Sequence, residues 1–128
     1  MVKFSDELRA LFEVAVIGVA TCSADGIPNV IAISDARILD DDTIAISNQF
    51  MNKTAKNLAE NPRISVLLID FPGIRTVQLR GRLERMEDSG PIFEEMSRRI
   101  DAIDTEFNLG GLFKLRAAGI VKIHEIFE

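Results

Sequence analysis

The sequence holds few of the residues that the commoner side-chain chemistries require. Its 128 residues include one cysteine, one histidine, no tryptophan and no tyrosine. With Cys22 alone no internal disulfide can form, and its place in an apolar run reads as a buried, inert core thiol. With His124 alone, in what reads as the terminal strand, a Ser-His-Asp or Cys-His arrangement would need that one ring to reach a nucleophile across the molecule. Structural zinc fails for want of Cys and His. There is no G-x-x-x-x-G-K-[ST] loop and no G-x-G-x-x-G turn, which excludes P-loop nucleotide hydrolysis and Rossmann-type hydride transfer. The longest apolar stretch, Val14 to Cys22, is too short to cross a bilayer, and the start Met1 to Asp6 lacks the zones of a signal peptide. A soluble cytoplasmic protein, with no membrane partner, is the expectation. Positive charge is also scarce: the formal charge is −5, which opposes general binding of nucleic acid. Lys53, Lys56 and Arg63 form a local exception, too small for a duplex but suited to one phosphate group.

What is present describes one ordered domain over residues 1–128, with 47% apolar residues punctuated by Gly, Pro and Asp clusters. Ser5 is placed to cap a short helix with Asp6 and Glu7 in its first turn and Leu8, Leu11 and Phe12 on one face. From Val14 the pattern reads as a strand, and Asp25-Gly26 supplies a hairpin turn. A second strand runs from Asn29 through Ser34 to Leu39. The triplet Asp40-Asp41-Asp42 then makes a solvated turn before a third strand at Thr43 to Ser47. Asn52 is positioned to cap a helix from about Lys53 to Glu60, stopped by Pro62. Strands over Arg63 to Ile69 and Arg75 to Met86 follow, the latter alternating Val77, Leu79 and Leu83 with polar residues. Gly90-Pro91 opens a third helix whose Ile92, Phe93, Met96, Ile100 and Ile103 recur at packing intervals. Gly119 to Phe127 is the last strand. Six strands with short links and three short helices predict a mainly β protein, a six-stranded antiparallel barrel. A parallel sheet is disfavoured, since the first three strands leave no room for crossover helices.

The segment Ser47 to Asn57 carries the clearest chemistry. A strand ends, a short loop follows, and a helix begins with a cation and a hydroxyl in its first turn. Unfilled N–H groups, the positive helix end, the Lys53 ammonium and the Thr54 hydroxyl would converge on one anion. From spacing alone a phosphate site and a plain solvated helix start are equally good readings.

The stretch Met51-Asn52-Lys53-Thr54-Ala55-Lys56-Asn57-Leu58-Ala59-Glu60-Asn61-Pro62-Arg63-Ile64-Ser65-Val66 resembles the signature of the pyridoxamine-5′-phosphate-oxidase-like FMN-binding split barrels. The hairpin Ala20-Thr21-Cys22-Ser23-Ala24-Asp25-Gly26-Ile27-Pro28 precedes it, and a strand with Arg80-Gly81-Arg82 follows it, in the family's order. The resemblance runs from Val14 to about Glu87 and is closest to the small single-domain FMN-binding proteins. It implies a split barrel that binds flavin mononucleotide (FMN) as a homodimer, with the flavin at the seam. It implies that Lys53 and Thr54, helped by Asn52 and Asn57, hold the FMN phosphate, and that Ser47 meets the ribityl chain or phosphate. Ala32, Ile33 and Ser34 would border the isoalloxazine ring, Gln78 or Thr76 would reach the ring edge or ribityl chain, and Phe113 would complete the partner's site. The sequence departs from the pyridoxal-producing oxidases at Ile123 to Glu128, which lacks their basic C-terminal cluster and argues against oxidation of pyridoxine phosphate. Only Phe can stack on a ring, and no positioned acid or base is evident, so the hard chemistry would belong to the cofactor. The resemblance implies an FMN-dependent oxidoreductase acting on a small substrate. A non-catalytic flavin or electron carrier, and relatives holding deazaflavin or haem, are the alternatives; haem fits worst because His124 is the sole imidazole.

Overall fold

A computed structural model of the chain describes residues 2–49 and 51–128; Met1, and Phe50 within the strand-to-helix segment singled out above, lie outside the described residues. The elements are α1 (Asp6–Leu11), β1 (Val16–Cys22), β2 (Pro28–Ile33), β3 (Ala36–Ile38), β4 (Thr43–Asn48), α2 (Lys53–Glu60), β5 (Arg63–Asp70), β6 (Arg75–Glu87), α3 (Pro91–Glu106) and β7 (Ala117–Phe127). All seven strands form one antiparallel sheet in the order β2-β1-β5-β6-β7-β4-β3.

That order dictates curvature. The two edges, β2 and β3, follow one another in the chain with only Ser34 and Asp35 between them. In a flat sheet they would lie six strand spacings apart, roughly 29 Å. Three Cα steps reach at most about 11 Å. The sheet therefore curls until its edges approach, and the backbone of Asp35 binds β4 on the way, its carbonyl accepting from Ser47 N–H at 3.0 Å. The expectation of a mainly β antiparallel barrel holds, with one correction. The continuous strand expected from Asn29 to Leu39 is broken at Ser34-Asp35 into two strands on opposite edges, so there are seven strands where six were expected.

Period-two alternation supplies the core. Ile17 and Val19, Ile44 and Ile46, Ile64, Val66 and Leu68, Val77 and Leu79, and Val121 and Ile123 all point inward and are buried. Leu8, Leu11 and Phe12 of α1, capped by the Ser5 hydroxyl accepting from Leu8 N–H at 3.1 Å, close over this core as expected. A second cluster sits outside the sheet, where Met96 and Ile100 of α3 pack on Ala45, Ala118 and Ile120. Strands β4 and β7 are thus covered on both faces. Gly26, at φ 89°, provides the left-handed turn of the β1–β2 hairpin. No helix among the described residues is long and apolar enough to cross a membrane.

The alternation also corrects the reading of Cys22. On β1 the inward position is Thr21, so Cys22, one residue on, faces outward and is only partly buried.

Candidate functional site

Strand β4 ends at Asn48, whose side-chain oxygen accepts from Met51 N–H at 3.2 Å and turns the chain into α2. Asn52 stands at the N-cap position of that helix but does not cap it. Its backbone is already helical (φ −93°, ψ −70°), a conformation that cannot fold the side chain back over the first turn, and its Oδ1 accepts from Arg116 Nη1 at 3.4 Å instead. Among the described residues, the first-turn N–H groups of α2 therefore have no side-chain cap.

Lys53 is exposed and forms no ion pair among the described residues. Thr54 and Asn57 point inward and are buried: Asn29 Nδ2 donates to Thr54 Oγ1 at 3.0 Å, and Asn57 Nδ2 donates to Thr21 Oγ1 at 3.2 Å. Both bonds seat α2 against β1 and β2, and the Thr54 hydroxyl keeps its own proton to donate.

Two concavities meet this helix start. A cavity of about 350 Å³ is lined by Ala32, Ile33 and Ser34 at the end of β2, by Ser47, Gln49 and Met51 at the end of β4, and by Ile31 and Phe113. A groove of about 630 Å³ runs along Lys53, Lys56 and Asn57 beneath the β1–β2 hairpin. Asp25 and Glu60 share that groove. The Ser23 hydroxyl donates to the Asp25 carboxylate and holds it below the usual carboxylate range, with Lys56 adding a smaller attraction.

The structure thus brings Ala32, Ile33, Ser34 and Ser47 to one cavity, puts Lys53 and Asn57 on the neighbouring groove, and sets Asn52 and Thr54 on the helix start beside both. Gln78 lies elsewhere. It faces outward from β6, where its Nε2 donates to Ser65 Oγ at 2.9 Å, and Thr76 is exposed on the same strand. Phe113, expected to serve a partner's site, lines the cavity of its own chain.

Ile31, Met51 and Gln49 are lining residues that the sequence did not single out. Gln49 is only 5% exposed; its Oε1 accepts from the Ser34 hydroxyl, while its Nε2 is buried with no hydrogen-bond partner among the described residues. A polar residue in a loop gives no sign in sequence that it is desolvated.

The outward face of the sheet carries an apolar patch over β1, β2 and the middle of β5 that reaches Phe127 of β7. Register sets Ala32, Gly18, Leu67, Gln78 and Phe127 in one row across five strands, with Val30 and Ala20 in the next. Val16, Val30, Leu67 and Phe127 are exposed there, Val30 to 72%.

Comparison with known proteins agrees with this architecture. The protein of Methanocaldococcus jannaschii called uncharacterized protein MJ0282 is 29% identical over 130 residues, spanning 100% of this chain and 82% of that protein. An FMN-binding protein from Syntrophomonas wolfei superposes with a TM-score of 0.78 at 20% identity, covering 93% of this chain and 81% of its own. HutZ, the heme storage protein from Vibrio cholerae, superposes at 0.62 with 16% identity, covering 98% and 94%. At such identities the superpositions speak for the split-barrel fold alone, and proteins with different ligands share it. The sequence itself matches the model of the pyridoxamine 5′-phosphate oxidase family over residues 4–124, nearly the whole length, and the chain therefore belongs to that family.

Proposed function

We propose that the protein binds FMN at the seam of a homodimer and acts as an FMN-dependent oxidoreductase on a small substrate. One observation carries the reading: a helix start without a side-chain cap, bearing a cation with no ion pair among the described residues, Lys53, lies two residues after Met51, which lines a largely apolar cavity. A phosphorylated molecule with a flat apolar ring needs just that juxtaposition. The residues fit such a group chemically. Lys53, the first-turn N–H groups and the Thr54 hydroxyl are all donors, which suits a phosphate. Ala32, Ile33 and Phe113 offer apolar contact to a ring, and Ser34 and Ser47 offer hydroxyls beside it. Asn52 and Asn57 complete the helix start.

The apolar outward face supports the dimer. Packing two such faces together would bury Val16, Val30, Leu67 and Phe127, and would bring Gln78 of one chain toward the partner's flavin. When bound, the flavin supplies the hydride and electron chemistry. The chain's residues bind it, orient it and exclude water from the ring.

The test is an absorption spectrum of freshly purified protein before and after denaturation, with the released molecule identified by mass. Oxidised FMN near one per chain is the expected result, followed by bleaching with a reduced nicotinamide. A colourless protein that also fails to take up added FMN would refute the cofactor; FMN that no nicotinamide reduces would favour a carrier over an enzyme.

A further inference from the structure

A third concavity, of about 590 Å³, opens on the outward face at the far end of β1, β5, β6 and β7. It carries three arginines, Arg63, Arg80 and Arg82, and one acid, Glu125. The antiparallel register puts Arg63 directly opposite Arg82. Like charges in that relation repel, at a cost to the sheet. The structure offers neither a remedy: Arg63 and Arg82 have no carboxylate within 4 Å among the described residues. Arg80 has a loose one, Glu125 at 4.0 Å, and its guanidinium lies 4.6 Å over the Phe127 ring. Lys122, across from Arg82, is already neutralised by Asp42 at 3.2 Å. This concentration of positive charge stands on a chain whose formal charge is −5.

The neutral groups around the arginines present donors. Ser65 Oγ accepts from Gln78 Nε2, which leaves the hydroxyl proton to point elsewhere. Asn61 Oδ1 accepts from Arg63 N–H at 3.2 Å, which leaves Asn61 Nδ2 as a donor. His124 adds an imidazole at the bulge where the β6–β7 register shifts between Arg80 and Gly81. Gly81 lets the two strands cross closely there. A Cβ on it would collide with the Lys122 carbonyl, its carbon only 2.9 Å away, so the close approach of β6 to β7 between Arg80 and Arg82 depends on glycine.

We infer that this groove is a second oxyanion site, separate from the helix start of α2, and that it takes the phosphate group of a small ligand between Arg63 and Arg82, with Ser65 and Asn61 donating at its edge. Two guanidinium groups on directly paired residues of adjacent strands, both lining one groove, match a tetrahedral dianion better than a single carboxylate. Phosphate binding removes the cross-strand repulsion that the bare groove bears.

The inference does not rest on the flavin reading, and its test is arranged to keep the two apart. Inorganic phosphate is titrated calorimetrically, at matched ionic strength in chloride, into Lys53→Gln protein, so that the helix start of α2 contributes as little as a single substitution allows. Binding is expected there, and to weaken by roughly tenfold or more when Arg63→Gln and Arg82→Gln are added. In phosphate-free buffer the added substitutions should leave the melting temperature unchanged or higher, since they relieve repulsion, which also shows that the variant folds. Equal phosphate binding with and without the two arginines would overturn the site. So would binding absent from the Lys53→Gln protein itself. Sedimentation of the same variants covers the other source of an anion: if loss of the arginines dissociates a dimer, the groove seats a carboxylate of a second copy and the phosphate assignment falls.

Discussion

Replacing Lys53 with alanine isolates the phosphate end of the proposed flavin site. Thr54 and Asn57 are poor probes, because each holds a hydrogen bond that seats α2, at 3.0 and 3.2 Å. Lys53 is exposed and forms no ion pair among the described residues, so its loss should change unfolding free energy by no more than about 0.5 kcal/mol. A charge-assisted contact to phosphate is worth about 1.5–3 kcal/mol, or roughly a ten- to hundred-fold rise in Kd for FMN. Thermal melting reads the same quantity. At flavin one hundred times above the wild-type Kd, ligand linkage stabilises by about 2.7 kcal/mol. A domain of 128 residues shifts by about 4 °C per kcal/mol, so FMN should raise the wild-type Tm by about 10 °C. In Lys53→Ala the same flavin concentration should raise it by only about 2–5 °C. Riboflavin, which has the ring and ribityl chain but no phosphate, should bind the two proteins equally. An FMN affinity retained in the variant, or a parallel loss of riboflavin binding, would refute the placement of the phosphate.

Three further perturbations test the frame around the site. Gly81→Ala forces a Cβ into the Lys122 carbonyl at the β6–β7 bulge and should destabilise by about 1–3 kcal/mol in denaturant unfolding; an unchanged midpoint would show that the strands can part. Leu67→Asp puts a charge in the middle of the apolar outward face, and sedimentation should show a monomer with weakened flavin binding; an intact dimer would move the interface elsewhere. Asp35, buried and 2.9 Å from Arg99, has its carboxyl raised above 3.8 by desolvation, with Arg99 and Arg37 pulling it back. The folded state therefore holds this proton more tightly than the unfolded chain. The stability attached to the group is complete below 3.8 and declines as pH rises through the raised value. The Tm advantage of wild type over Asp35→Asn should accordingly shrink as pH rises from below 4, and an advantage that grows over that range would contradict the sign.

Local chemistry made much of this structure legible. Asp25-Gly26 specified the hairpin, Ser5 specified the start of α1, and Met96 and Ile100 marked the buried stripe of α3 because spacing along a helix is written in sequence. The misreadings share a different cause. Asn29 to Leu39 is apolar enough to read as one strand, and nothing local reveals that Ser34-Asp35 carries the chain from one edge of the sheet to the other. Cys22 belongs to a run apolar on both sides, so periodicity could not say which parity faces the core. The facing of Arg63 and Arg82 depends on the register of β5 against β6, which only the folded sheet determines. Residues of the candidate site were visible where they formed a contiguous signature, as at Lys53 and Thr54, and invisible where the fold assembled them, as at Gln49.

The closure of the sheet and the making of the cavity are one event. Ser34 and Asp35 join the edge strands; Asp35 N–H donates to Ser47 Oγ at 3.2 Å, its carbonyl accepts from Ser47 N–H, and its carboxylate holds Arg99 of α3. Ser34, one residue earlier, binds Gln49 across the cavity. The hydroxyls that would face a ligand are therefore fixed by the same two-residue link that curls the sheet, and α2 begins four residues after Gln49. A ligand bound there would touch β2 at one edge of the sheet and the end of β4, which neighbours the other edge strand, so binding should resist the parting of β2 from β4 as well as fill a cavity. Amide exchange would then slow on ligand binding along β2 and at the end of β4 more than along β5 and β6, which do not line the cavity.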